Sequence, residues 1–283
     1  ERTKIDEDSL YKKIKLNKVD ITYFSNKNSF FKKIISDISK KNYTITGKKD
    51  GFGAQYQAIM SGIANCKFKN YNYIHTPFKI IGHCGDIKSL NNFIGIPNLL
   101  CRNNIKIDIT KPYSPEVHWS LCPSKYYTND TIALLRNYYY TTSKPVIEKV
   151  DIAIHIRRGD VNNEKSKRYT SNSYYNKIIK FLNNKYPKYN IVIFSEGSIE
   201  NFNELNGKNI SFKLNKSIEE TFHSLVSAKI LVTAKSSFSY SAAILNSNEI
   251  YYINFWHKPL KNWKIISDLS LPYSKKNKKN KKK

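Results

Sequence analysis

Between residues 150 and 254, short runs rich in β-branched and aromatic residues alternate with longer runs of helical character. The strand-like runs cover 150–156, 189–194, 211–214, 230–233 and 249–254, and the helical ones lie near 173–185, 218–228 and 239–246. Strands that alternate with helices predict a mostly parallel sheet with helices on its faces. Pro145 marks the entrance to this unit, so the chain divides into an N-terminal domain over 1–145, a C-terminal domain over 146–273 and a tail over 274–283. At 283 residues there is enough chain for two cores of ordinary size.

The first half carries the same ingredients in a less regular order. Strands are expected at 20–24, 43–47 and 72–75, and a helix at 29–40. Gly51-Phe52-Gly53 opens an apolar run of helical length over 55–64, and 77–123 reads as loop-rich from its Gly, Pro and Asn content. The expected fold is therefore α/β, with two Rossmann-like domains facing one another across a cleft.

Charge narrows the partners. The formal net charge is +26, and seven of these charges are lysines between Lys275 and Lys283. A positive field attracts nucleic acid, an anionic membrane face or a nucleotide sugar. No zinc-finger spacing, helix-turn-helix signature or aromatic RNA-binding motif accompanies it, which counts against nucleic acid. The lysine tail is expected to touch anionic membrane lipid or polyanionic glycan rather than take part in chemistry, so deleting 274–283 should leave turnover of a small acceptor nearly unchanged while weakening retention on anionic vesicles at low salt. No run reaches the 18 apolar residues of a membrane span, and six of the first eight residues are charged. The expected location is cytoplasmic or peripheral to a membrane, or lumenal if an N-terminal anchor precedes this chain. Cys66, Cys84, Cys101 and Cys122 form no C-x-x-C pair and are expected as buried free thiols.

Three strand ends carry the polar residues. The run 151–156 leads directly into Arg157-Arg158-Gly159-Asp160. In an open parallel sheet, ligands bind beyond the carboxyl ends of the strands. A guanidinium there offers paired donors to phosphate oxygens and can stabilise a diphosphate as it departs. Gly159 permits a tight turn, and Asp160 can orient an arginine or take a proton. The second strand end runs 191–194 into Ser195-Glu196, and the third runs 230–233 into Ser236-Ser237 before a helix, where amides and hydroxyls suit phosphate.

His155-Ile156-Arg157-Arg158-Gly159-Asp160 resembles the H-x-R-R-G-D motif of alpha-1,2-fucosyltransferases, related to motifs of alpha-1,6-fucosyltransferases and protein O-fucosyltransferases. Phe194-Ser195-Glu196 and 236–243 resemble the next two motifs in order, and Gly51-Phe52-Gly53-Ala54-Gln55 is similar to the family's G-x-G-N-Q loop, with Ala54 where Asn is usual. The resemblance implies a GT-B fold, a GDP-fucose donor, inverting transfer to a glycan hydroxyl and no required metal or other cofactor. It assigns Arg157 to the β-phosphate, with Arg158 beside it, His155 and Glu196 to the nucleotide, Ser236, Ser237 and neighbouring amides to phosphate, and Gly51 and Gly53 to close approach on the donor side. The proton acceptor is open between Asp160 and Glu164. Two other readings stand beside it: the same fold with another donor such as UDP-xylose, and a noncatalytic basic module. Asp6-Glu7-Asp8 has metal-binding D-x-D spacing but follows no strand, and is expected to be a solvated cluster. Trp119, Trp256 and Trp263 are candidates for sugar stacking but more commonly pack, and the histidines at 75, 83, 118, 223 and 257 show no ligand spacing.

Overall fold

The computed structural model describes residues 40–82, 85–97, 105–161, 166–205, 207–269 and 271. The strand expected at 20–24, almost all of the helix at 29–40, the Asp6-Glu7-Asp8 cluster, His83, Cys84, Cys101, Glu164 and the lysine tail lie outside these residues.

In chain order the first half holds β1 (Asn42–Ile45), α1 (Phe52–Lys69), β2 (Asn72–Tyr73), α2 (Ile87–Phe93), β3 (Ile109–Lys111), α3 (Pro115–His118) and α4 (Asn129–Tyr140). Its three strands are parallel, in the order β2-β1-β3. The described residues of 77–123 are more ordered than the composition suggests, since β3 completes this sheet, α3 packs on α1, and Phe93 of α2 packs against Phe52 and Tyr139. Elements of three to seven residues are too short to impose a visible period.

The second half holds β4 (Ile152–His155), α5 (Asn172–Lys185), β5 (Ile191–Ser195), β6 (Ile210–Leu214), α6 (Ile218–Ser227), β7 (Ile230–Val232), α7 (Ser237–Leu245), β8 (Glu249–Tyr252) and β9 (Lys264–Ile265). All six strands are parallel, in the order β6-β5-β4-β7-β8-β9. Counting from β4, this is the 3-2-1-4-5-6 order of a doubly wound nucleotide-binding sheet.

Period-two alternation decides which face of β4 meets which layer. Ile152, Ile154 and Ile156 join Tyr175, Ile178 and Leu182 of α5 in one core, while Ala153 faces the opposite core with α6 and α7. That second core continues into the first half, so α1 and α7 are covered from both sides. Residues 55–66 of α1 and 239–245 of α7 are buried almost without a break, which explains why neither helix shows a clear polar face. Between them, Phe52 meets Phe222 edge-on at 5.4 Å and Phe238 at 6.2 Å. Tyr139 is fully buried against Phe93 and Phe222.

At the far end of β8, Glu249 accepts hydrogen bonds from Tyr186 and Lys185 and pairs with Lys264. Burial alone would raise its pKa, but hydrogen bonds from Lys264, Tyr186 and Tyr251 outweigh this and lower it from 4.5 to about 2. A depressed folded-state pKa contributes stability above the unfolded value and loses it as pH falls through the folded value. Melting temperature should therefore fall more steeply between about pH 4.5 and 2 in the wild type than in Glu249→Gln. Parallel acid profiles of the two proteins would remove this role.

Candidate functional site

The strand order creates the site. From β4 the chain winds outward through β5 and β6, then returns to the other side of β4 at β7, so the connections leaving β4 and β7 diverge above the sheet. A crevice at such a switch point is where open α/β sheets bind ligands. Here it is flanked by Arg157, two residues beyond β4, and by Ser236, the N-cap of α7.

Arg157 is held in a defined pose. Its Nε donates to Asp160 Oδ1 at 3.1 Å and its Nη2 to Asp160 Oδ2 at 2.5 Å, a two-point grip, while Nη1 lies 3.5 Å from Ser236 Oγ. A guanidinium has five N–H donors, so a fork fixed this way keeps hydrogens to offer into the crevice. Ser236 Oγ accepts from Phe238 N–H, and Ser239 Oγ accepts from Ala234 N–H, fixing the loop that delivers the first turn of α7.

Arg158 points elsewhere. It is buried, donates to the carbonyls of Arg157 and Thr170 and to Asn172 Oδ1, and lies 4.5 Å over the Tyr169 ring. Both of its terminal nitrogens thus bond to protein atoms that shape the loop around Arg157.

Gly159 has φ of 73° and faces the carboxylate of Glu196, which occupies the space where a Cβ would stand. Glycine is required there both for the left-handed backbone and for that close approach. Ser195 Oγ donates to Ile156 O at 2.7 Å, joining the ends of β4 and β5. His155 is buried 5.5 Å from Phe238, and its Nδ1 has no hydrogen-bond partner among the described residues. Burial, aided by the charge of Arg157, lowers its pKa to about 3, so the ring is neutral at pH 7.

The first half supplies the opposite wall. Gly53 sits where α1 meets α7: an added Cβ would lie 2.5 Å from Phe238 N, and Ser241 Oγ donates to Gly53 O at 3.4 Å. Gly51 is the N-cap of α1 and bridges Gly82. Gln55 donates to the carbonyls of Asp50 and Ile80, tying this loop from below. Together the walls enclose a cleft of about 610 Å³, which brings together His155, Arg157, Arg158, Asp160, Glu196, Ser236, Ser237, Gly51 and Gly53. Glu164 alone of the expected site residues lies outside the described residues.

Lys48, Lys49, Asp50, Tyr113, His118, Arg168 and Lys216, which the sequence reading did not assign to the site, also line the cleft, as do Trp119 and Trp256, two of the three tryptophans named as candidates for sugar stacking. Most come from loops without strand or helix periodicity. For the charged residues, the run Lys48-Lys49-Asp50 directly before the glycine loop was a signal available in the sequence. Among the described residues no group of three or more His, Cys, Asp or Glu is placed to hold a metal ion.

Residues 135–264 match the profile of glycosyl transferase family 11, a segment that contains all three polar strand ends. No curated protein matches the chain in sequence. Among solved structures it is similar to a mutant of Arabidopsis thaliana FUT1 in complex with GDP, at 13% identity and a TM-score of 0.40, over 90% of this chain and 79% of that one. It is also similar to E. coli heptosyltransferase WaaC with ADP-2-deoxy-2-fluoro heptose, at 10% identity and a TM-score of 0.40, over 80% and 92%. NodZ alpha-1,6-fucosyltransferase soaked with GDP-fucose is a third, at 10% identity and a TM-score of 0.35, over 73% and 93%.

Proposed function

We propose that this chain, a glycosyltransferase of the fucosyltransferase family by its match over 135–264, moves L-fucose from GDP-fucose to a glycan hydroxyl with inversion at the sugar carbon. The observation that carries this reading is the Arg157 fork, fixed by Asp160 at the switch point and facing the N-terminus of α7.

In this reading the diphosphate lies between the Arg157 guanidinium and the first-turn amides of α7, where helix N–H groups and the helix dipole favour anions. Charge that develops on the departing diphosphate meets donors already in place. Ser236 and Ser237 border that pocket. Glu196, exposed at the exit of β5, is positioned for hydroxyl or amide hydrogens of the nucleoside, and neutral His155 lines the pocket beneath it. Arg158 braces the loop, and Asp160 acts first as the holder of Arg157. Gly51 and Gly53 let the N-terminal wall approach closely.

A thermal-shift panel tests the donor. Ligand at a hundredfold excess over its Kd stabilises a protein by about 2.7 kcal/mol. GDP and GDP-fucose should raise the melting temperature while UDP and UDP-xylose leave it nearly unchanged; the reverse ranking would move the donor to a uridine sugar. Transfer is further expected to continue in EDTA, because Arg157 and the helix amides supply the positive charge at the diphosphate. Strict dependence on added Mn²⁺ would contradict that division of labour.

A further inference from the structure

Three carboxylates of the described residues line the cleft, and they differ in what they face. Both oxygens of Asp160 are engaged by the Arg157 fork. Glu196 stands on the same wall, against Gly159. Asp50 comes from the opposite wall, immediately before the glycine loop, and its side chain is 58% exposed. Its main chain is fixed, since its carbonyl accepts from Gln55 Nε2 at 2.6 Å and from Gly82 N–H at 3.1 Å.

Asp50 belongs to a continuous surface. Lys48 Nζ lies 3.1 Å from Asp50 Oδ2 and 5.5 Å from the centre of the Tyr113 ring. Tyr113 meets the His118 ring at 4.7 Å and the Trp119 ring edge-on at 6.5 Å. Trp119 is 53% exposed into the cleft. Trp256, which also lines the cleft, is already packed by the Phe255 ring at 3.7 Å and by the Arg168 guanidinium at 5.0 Å.

The indoles are held in place. His257 Nε2 accepts from Trp256 Nε1–H at 2.9 Å, so its Nδ1 carries the hydrogen and donates to His118 O at 3.2 Å. The same ring stacks on Trp119 at 5.9 Å and 29°. An exposed indole fixed by a buried neighbour has little rotamer freedom left to lose on binding. Its exposed apolar face suits the C–H face of a sugar ring.

Building on the fucosyl-transfer reading above, we infer that the Asp50–Lys48–Tyr113–Trp119 wall is the acceptor subsite. It takes a neutral pyranose whose C–H face stacks on Trp119 and whose hydroxyl meets the Asp50 carboxylate. The acceptor oxygen forms its bond to the anomeric carbon while the bond from that carbon to the β-phosphate oxygen breaks. The hydroxyl proton passes to Asp50, and the electron pair of the broken bond leaves on the diphosphate held by Arg157. A proton acceptor opposite the leaving group fits this step, and such a group contributes about 10²- to 10⁴-fold to rate.

The test uses the full chain with GDP bound and methyl β-D-glucopyranoside and methyl β-D-galactopyranoside as probes, read by saturation-transfer NMR and, separately, by transfer kinetics. At least one probe should show saturation of its ring C–H protons, lost in Trp119→Ala and kept in Trp119→Phe. In kinetics Trp119→Ala should raise the acceptor KM about tenfold or more, and Asp50→Asn should cut kcat about 100-fold with partial recovery in Asp50→Glu. GDP-induced thermal shifts should stay at wild-type size in every variant, which reports an intact fold and nucleotide site. Saturation that survives in Trp119→Ala, or its absence from both probes in the wild type, overturns the stacking surface. Wild-type kcat in Asp50→Asn overturns the proton acceptor. A wild-type protein that binds a probe through Trp119 but transfers nothing from GDP-fucose sustains the subsite and counts against the proposed transfer instead.

Discussion

Replacing Arg157 with alanine should lower transfer about a thousandfold or more while the protein still unfolds cooperatively near the wild-type temperature. The side chain is only partly buried and bonds to Asp160 and Ser236 rather than to the core, so its loss leaves no cavity beneath the sheet. What disappears is the paired donor aimed at the diphosphate, and loss of one such donor typically costs about 10²- to 10³-fold in kcat. Removing a full charge together with the fork places the expected loss at or beyond the upper end, about 4 kcal/mol at a thousandfold. Arg157→Lys should fail nearly as badly, because a point charge on a flexible stem can neither be gripped at two points by Asp160 nor present two parallel donors. Initial rates with GDP-fucose, alongside melting curves, check both variants. Wild-type turnover by the lysine variant would take the fork out of the mechanism.

Gly53→Ala should produce the second-largest effect. Gly53 is buried, and a methyl group there meets the backbone of Phe238 at 2.5 Å, an atom that cannot swing aside as a flexible side-chain end can. Helices α1 and α7 must separate to admit it, and overpacking of this kind costs about 1–3 kcal/mol. The functional loss should exceed the stability loss, because Phe238 and Ser237 form the first turn of α7 over the crevice. Displacements of about 1 Å in positioning groups cost about 10²-fold in rate. Calorimetry and GDP titration of Gly53→Ala measure the two consequences separately. A variant with wild-type melting temperature and wild-type GDP affinity would mean that this approach of the two walls is irrelevant to the site.

The parts of the architecture that rest on periodicity were readable from the chain. Isoleucines 152, 154 and 156 alternate with Ala153, and β5, β7 and β8 carry equally apolar runs, because parallel strands covered on both faces leave little room for polar residues. Each strand end was marked by an abrupt change to Arg, Glu or Ser, so the switch-point residues could be named before their geometry was seen. Orientation could not be read in this way. Arg157 and Arg158 are adjacent and chemically identical, and both border the crevice, yet Arg157 keeps N–H hydrogens facing it while Arg158 directs both terminal nitrogens to Arg157 O, Thr170 O and Asn172 Oδ1, and only the path of the loop distinguishes them. Gln55, matched as part of a motif, ties down the backbone of its own loop. Lys48 and Asp50 reach the cleft from the loop after β1, and Tyr113 and Trp119 from the residues just beyond β3 and α3, stretches too short to show a period. β9, formed by Lys264 and Ile265 alone, escaped notice for the same reason.

A crystal structure of the protein with GDP tests the central claim most directly. The account predicts the β-phosphate within hydrogen-bonding distance of the Arg157 guanidinium and the first-turn amides of α7, with the nucleoside extending past Glu196. A diphosphate seated on the Lys48 and Lys49 side of the cleft, away from Arg157, would contradict it.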